Sequence, residues 1–274
     1  MRLIIFNVEH GACALITTAN NRRIMIDVGH NSSTQWYPGN YLSQQGITQL
    51  DKLCVTNYDE DHVSGLPNLL SHNINISVLV RNVSVSAQNI CSLKTEDGMG
   101  TGIAKLVGIL PTYVGGAPSF DDNGDVSFSF FYNCYPADFD DENNLSLVVF
   151  VRAGTVNLVF PGDLEVAGWR KLLANPQFCA ALRSTNVFVA SHHGRENGYC
   201  EDVFKFCKPQ AVIVSDSAIK YDSQQVANLY RKHTSGVNTP AGTRHVLTTR
   251  RDGWMMIDNG PAPNWTLTLE NSGK

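Results

Sequence analysis

The chain has 274 residues, 43% hydrophobic and 17% charged, with a formal net charge of −4. That composition describes an ordinary globular protein able to bury one large core or two modest ones, and it excludes low-complexity and fibrous classes. No apolar stretch approaches the roughly 20 residues that span a bilayer, and the seven cysteines form no CxxC pair, so a cytoplasmic protein with buried free thiols and no membrane segment is expected.

In chain order, Leu3 to Val8, Ala12 to Thr18 and Arg23 to Asp27 read as three strands in a meander; Ala19-Asn20-Asn21 forms the turn between the last two. This N-terminus opens on strand-like Leu3-Ile4-Ile5-Phe6 rather than a basic leader. A polar loop from Gly29 leads to a short helix around Asn40 to Gln45. Leu50 to Thr56 reads as a buried strand, and Gly65-Leu66-Pro67 opens a helix, which makes Asn57 to Ser64 the loop between them.

That loop, Asn57-Tyr58-Asp59-Glu60-Asp61-His62-Val63-Ser64, is the most informative segment. In an extended stretch residues two apart face one way, so Asn57, Asp59 and Asp61 converge and His62 swings in from the turn. Two carboxylates about 5 Å apart repel by roughly 3 kcal/mol at an effective dielectric near 20. A bound cation removes that cost; a solvated acidic turn capping the next helix is the plainer alternative.

A strand near Val78 to Arg81 follows, and 84–122 reads as an insertion with helices over Ala87 to Leu93 and Ile103 to Leu110. Its cluster Gly98-Met99-Gly100-Thr101-Gly102 lacks the context of a nucleotide loop and reads as flexible. Strands Val126 to Asn133, Leu145 to Val151 and Val156 to Phe160 repeat the opening meander, and Pro161-Gly162-Asp163-Leu164 leads into a helix. Strand Val187 to Ala190 ends in Ser191-His192-His193-Gly194, and strand Ala211 to Val214 ends in Ser215-Asp216. Two histidines closing an apolar strand suit metal ligation by at least one of them. A helix from Ser223 to Lys232 and strands near His245 to Thr249, Trp254 to Ile257 and Trp265 to Leu269 complete the chain. Two meander halves with flanking helices predict an α/β (α+β) fold, a four-layer αββα sandwich forming one domain over 1–274. From Arg183 to Arg251, ten Lys/Arg stand against five Asp/Glu, a local excess that suits an anionic substrate if the charges share a face.

The order Asn57-x-Asp59-x-Asp61-His62-x-x-Gly65, Phe160-Pro161-Gly162-Asp163 and His192-His193-Gly194 resembles the metallo-β-lactamase superfamily. Within it the pattern looks most like the hydrolase domain of ComEC-type DNA-uptake proteins. Phe6-x-Val8-x-x-Gly11, Ile26-Asp27-x-Gly29, Asn144-x-Ser146-Leu147-Val148, Tyr221 and Thr249-x-x-Asp252-Gly253 extend the match along the chain. The resemblance implies a metal site from Asp61, His62, Asp163 and one of His192 and His193. It implies a second, oxygen-rich site from Asn57, Asp59 and Asp163. Asn57 and Ser223 stand where this branch carries histidines, and Asn144 sits near a position that elsewhere supplies one.

The implied cofactor is one or two divalent ions, zinc or manganese with magnesium possible, and the implied chemistry is metal-assisted hydrolysis. Asp61, His62 and Asp163 are the candidate catalytic residues, with Asp61 orienting a water and accepting its proton. Asp27, His30 and Asn144 are candidate supports behind the ligands. Arg195, Lys220, Tyr221 and Arg250 are candidate contacts to substrate. A phosphodiesterase or nuclease acting on nucleic acid or a nucleotide is the leading expectation. A small-molecule ester, lactone or amide hydrolase and a non-catalytic binding protein are the alternatives, because fold alone does not choose a reaction.

Overall fold

The computed structural model describes residues 1–95, 98–113, 124–217, 226–240, 242–259 and 265–271. Thirteen strands build its two large sheets. They are β1 (Arg2–Ile5), β2 (Cys13–Thr17), β3 (Arg23–Val28), β4 (Lys52–Cys54), β5 (Leu79–Val80), β6 (Ser127–Phe131), β7 (Val148–Ala153), β8 (Val156–Phe160), β9 (Val187–Val189), β10 (Ala211–Val214), β11 (Val246–Thr248), β12 (Met255–Asn259) and β13 (Trp265–Leu269). The first sheet has seven strands in the order β13-β12-β1-β2-β3-β4-β5, and the second has six in the order β11-β10-β9-β8-β7-β6.

Alternation along the strands explains the layering, since successive side chains point to opposite faces. Leu3 and Ile5 of β1, Ala14 and Ile16 of β2, and Ile24 and Ile26 of β3 meet Val149 and Val151 of β7 and Leu158 and Phe160 of β8 in a core between the sheets. The intervening residues Leu15 and Met25 face outward under helices α1 (Pro38–Gln44), α2 (Glu60–Val63), α3 (Leu66–Ser71), α4 (Ala87–Leu93) and α5 (Thr101–Ile109). Val148, Phe150 and Val159 face the other way, against α6 (Val166–Leu173), α7 (Pro176–Arg183) and α8 (Ala227–Arg231). The result is the four-layer αββα sandwich expected from the sequence.

Three local expectations change. The strand foreseen over Leu50 to Thr56 divides: Lys52–Cys54 enters the first sheet as β4, and Gln49–Leu50 pairs with Asn75–Ile76. The loop over Asn57 to Ser64 contains α2. Of the terminal strands, β11 stays in the second sheet while β12 and β13 join the first, because β12 pairs with β1 in a register that sets Ile257 opposite Leu3 and turns Met255 and Ile257 into the inter-sheet core. Within 84–122, α4 and α5 bury Ile90, Ile103 and Leu106 beneath the first sheet. The backbone N–H groups of Gly102 and Ile103 donate to the Glu60 carboxylate at 2.8 and 3.0 Å. Glu60 thus turns away from the neighbouring acids and caps α5, where its charge complements the helix N-terminus.

Five of the seven cysteines are buried as free thiols, with Cys91 partly buried and Cys134 exposed. No helix among the described residues is long and apolar enough to cross a membrane.

Candidate metal centre

Pairing is parallel where it matters. β3 runs parallel to β4, and β8, β9, β10 and β11 are successively parallel. Their C-terminal ends therefore gather at one edge of the sandwich, the place where open α/β sheets build sites. Asp27 ends β3, Thr56 to His62 follow β4, Asp163 follows β8, His192-His193 follow β9, Asp216 follows β10 and Arg250 follows β11. Leu147 N–H donates to Thr56 O at 2.7 Å, and Ser215 Oγ donates to Gly11 O at 2.6 Å, so backbone contacts tie the two sheets together at this edge.

Asp61, His62, Asp163 and His193 each offer a ligand atom within 4.8 Å of the others. His62 Nε2 lies 3.0 Å from Asp163 Oδ1. His193 Nε2 lies 3.2 Å from Asp61 Oδ2 and 3.4 Å from Asp163 Oδ1, yet neither contact has hydrogen-bond geometry, which leaves a buried ring nitrogen without a hydrogen-bond partner. It stands within ion-pair distance of both carboxylates, so three ligand-type atoms face one another where a cation would satisfy them all. Two imidazole nitrogens and two carboxylates are also the donor set of a divalent transition metal. The residues present therefore fit the ion that the sequence suggests.

His62 is oriented from behind. Its Nδ1 is 2.9 Å from Asp27 Oδ2, and Asp27 accepts from Thr56 N–H at 2.7 Å and Thr56 Oγ at 2.5 Å. A carboxylate on the far nitrogen fixes the tautomer and turns Nε2 toward the cluster. Asp27 has a φ of +56°, a left-handed conformation that Asp tolerates better than most residues.

The histidine pair divides. His192 and His193 have φ of +49° and +53°, and this double left-handed step sends consecutive side chains in different directions. His193 enters the cluster. His192 Nε2 takes a hydrogen bond from Arg195 Nη1 at 3.1 Å and lies 4.0 Å from Asp163, while its Nδ1 faces Glu165 at 3.6 Å.

The oxygen-rich half is committed elsewhere. Asn57 is fully buried; its Nδ2 donates to Asn143 Oδ1 and Ser146 Oγ at 3.2 and 3.1 Å, and its Oδ1 accepts from Asp59 N–H at 2.8 Å. Asp59 is ion-paired to Lys94, whose Nζ also donates to Glu142 Oε1 at 2.7 Å. Asn144, expected behind the ligands, instead accepts from Gly168 N–H at 2.8 Å and donates to Asp141, securing α6. His30 bonds Ser64 Oγ at 2.7 Å and stacks on Tyr37, outside the cluster.

Arg250 reaches Asp216 at 3.4 Å. Lys220 and Tyr221, and Ser223 with them, lie outside the described residues. Several cations of the basic window are internally paired, Lys205 with Asp202 and Arg244 with Asp252, which breaks up the shared positive face that the residue count suggests. Sequence reasoning missed Lys94, Glu165 and Asp216, and also His10, whose ring lies 6.4 Å from that of His193.

The charges are strongly coupled. Burial opposes an imidazolium at His193, but the Asp163 and Asp61 carboxylates overcome it and raise the pKa to about 10. His62 behaves likewise between Asp163 and Asp27, and rises well above the ordinary histidine value. Burial would push the Asp163 carboxyl up, yet the two imidazoles hold it well below the usual range. For Lys94, the bonds to Asp59 and Glu142 outweigh burial, so its ammonium is stabilised.

Known proteins give a matching picture. The family model for the metallo-beta-lactamase superfamily matches residues 7–89. ComE operon protein 3 of Bacillus subtilis is 24% identical over 71% of the chain, and Competence protein ComA of Neisseria gonorrhoeae is 23% identical over 84%. The chain spans only 24% and 29% of those relatives' lengths. Among solved structures, the metallo hydrolase Igni18 from Ignicoccus hospitalis aligns over 95% of this chain and 100% of its own, with a TM-score of 0.51 and 11% identity. Zn(2+)-bound PqqB from Methylobacterium extorquens aligns over 94% and 100%, with a TM-score of 0.50 and 12% identity. With its sandwich fold and its clustered Asp61, His62, Asp163 and His193, the chain carries a metallo-beta-lactamase superfamily match over residues 7–89 and is distantly similar to ComEC-type proteins.

Proposed function

We propose that this protein is a metal-dependent hydrolase whose substrate is a phosphodiester, in a nucleic acid or a nucleotide. The observation that carries the reading is the convergence of Asp61, His62, Asp163 and His193, with a buried His193 nitrogen that lacks a hydrogen-bond partner. Zinc and manganese suit two imidazoles with two carboxylates better than magnesium, which prefers oxygen donors. When bound, the ion supplies a water acidified toward a pKa of about 7 and a positive charge on the scissile group's oxygen.

The chain's own residues do the rest. Asp27 and Thr56 hold His62 in one orientation, and Ser146 Oγ accepts from Asp163 N–H at 3.1 Å, fixing the loop that carries that carboxylate. Asp61, whose side chain is 40% exposed, is the cluster member open to solvent and is placed to accept a proton from an attacking water. Arg195 stands beside His192 with a buried Nε that has no hydrogen-bond partner, and Arg250 is partly exposed over Asp216. Guanidinium groups bind phosphate oxygens through paired N–H donors. The resemblance of the sequence motifs to the hydrolase domain of ComEC-type DNA-uptake proteins supports nucleic acid as the first substrate to try.

The test is turnover of bis-nitrophenyl phosphate and of a labelled oligonucleotide with added Mn²⁺ or Zn²⁺. Cleavage that disappears in Asp61→Ala is the expected result. Turnover of nitrophenyl acetate or a lactone alone would move the reading to a small-molecule hydrolase, and a chain that takes up no metal would make it a binding protein.

A further inference from the structure

Lys94 stands at the end of α4, with its side chain 5% exposed and its Nζ held between Asp59 and Glu142. An ammonium is buried only where carboxylates repay its desolvation, and here they come from two segments far apart in sequence. Asp59 lies two residues before Asp61 and feels the charges of Asp163 and His62. The lysine is therefore one carboxylate away from the metal cluster. Every other side chain on this side is occupied: Asn57 uses both amide hydrogens and its oxygen, and Asn144 is bound to α6 and Asp141.

We infer that the Lys94 ammonium takes the place of a second metal ion, so that the centre binds one divalent cation and has a fixed positive charge of the protein's own beside it. This rests on reading Asp61, His62, Asp163 and His193 as the metal site. A further divalent ion at Asp59 would have to displace the ammonium or sit against it, and like charges at that separation repel strongly in a buried setting. Once the ammonium is removed, Asp59 and Glu142 are two unpaired acids, oxygen donors of the kind that suits Mn²⁺.

The experiment is equilibrium dialysis of the full chain against Mn²⁺ followed by metal analysis, with folding checked by circular dichroism. The wild type is expected to hold one ion, Lys94→Met two, and Lys94→Arg, which keeps the charge, one. Should Lys94→Met fail to fold, Lys94→Leu, equally neutral and unable to donate to either carboxylate, is expected to hold two. Two ions in the wild type, or one in the folded neutral variants, would overturn the inference and leave the proposed hydrolase standing. No ion in the wild type would instead remove the metal site itself.

Discussion

At the scale of single residues, backbone conformation decides which histidine serves the site. His192 and His193 adjoin in sequence, but consecutive φ values of +49° and +53° aim only His193 at Asp61 and Asp163. Each left-handed non-glycine residue costs roughly 1–2 kcal/mol, a strain retained where the geometry has a use. His193→Ala should therefore lower Mn²⁺ affinity by more than about 100-fold, since even outer partners of a ligand change affinity about 10–100-fold. His192→Ala should keep most of that affinity; equal losses in a calorimetric titration would contradict the division. Strand-end spacing showed in the sequence that a histidine pair belonged here, but it could not distinguish the two, because the distinction lies in dihedral angles. Lys94 was illegible for another reason. Its partners Asp59 and Glu142 are 35 and 48 residues away, and nothing local marks a lysine at the end of a short helix as buried.

Protonation gives a second residue-level expectation. Without a cation, His193 with a pKa of about 10 and His62, also raised, carry protons at neutral pH, whereas a metal requires the neutral imidazoles. Binding should release one to two protons, and affinity should climb up to roughly tenfold per pH unit for each proton released between about pH 7 and 10. Titrations in two buffers of different ionisation enthalpy measure this directly, and a buffer-independent heat would contradict it. The cation-free fold shows the opposite trend. The His193 contribution is complete below about pH 6.5, the unfolded value, and disappears as pH rises through about 10.

At the scale of elements, the motif glycines are points of close approach. The Asp61 carbonyl accepts from Ala12 N–H at 3.3 Å and sits so near Gly11 that a Cβ there would lie 2.6 Å from it. Gly29 meets the same oxygen more closely still. The β1–β2 loop and the end of β3 thus clamp α2, and α2 carries Asp61 and His62. Gly29→Ala should destabilise the fold by about 1–3 kcal/mol, seen as a lower Tm, and should weaken metal binding in parallel. An unchanged Tm would show that the clamp is slack. Phe6-x-Val8-x-x-Gly11 and Ile26-Asp27-x-Gly29 were legible as motifs, but their reason needed the packing. Helix α7 was legible but unread: Asn175 caps it through Gln177 N–H at 2.9 Å, and Pro176 occupies its first position, an ordinary helix start.

At the scale of the molecule, strand periodicity revealed both sheets and the layers around them. It did not reveal that β12 and β13 return to the first sheet, since alternation shows which face of a strand is apolar and not which neighbour it pairs with. The basic window is likewise a property of the whole surface. Lys205 and Arg244 are ion-paired to nearby acids, whereas Arg195 donates to His192 and Arg250 reaches Asp216, both among the residues that follow the parallel strands. Arg195→Ala with Arg250→Ala should weaken oligonucleotide binding and flatten its salt dependence by roughly one to two counterions. Unchanged affinity and slope would remove nucleic acid as the substrate.

The central claim is that strand ends from both sheets assemble one metal site. An anomalous difference map from crystals grown with Mn²⁺ tests it most directly. A single strong peak enclosed by Asp61, His62, Asp163 and His193 is the expected result. A peak elsewhere, or none at saturating Mn²⁺, would contradict it.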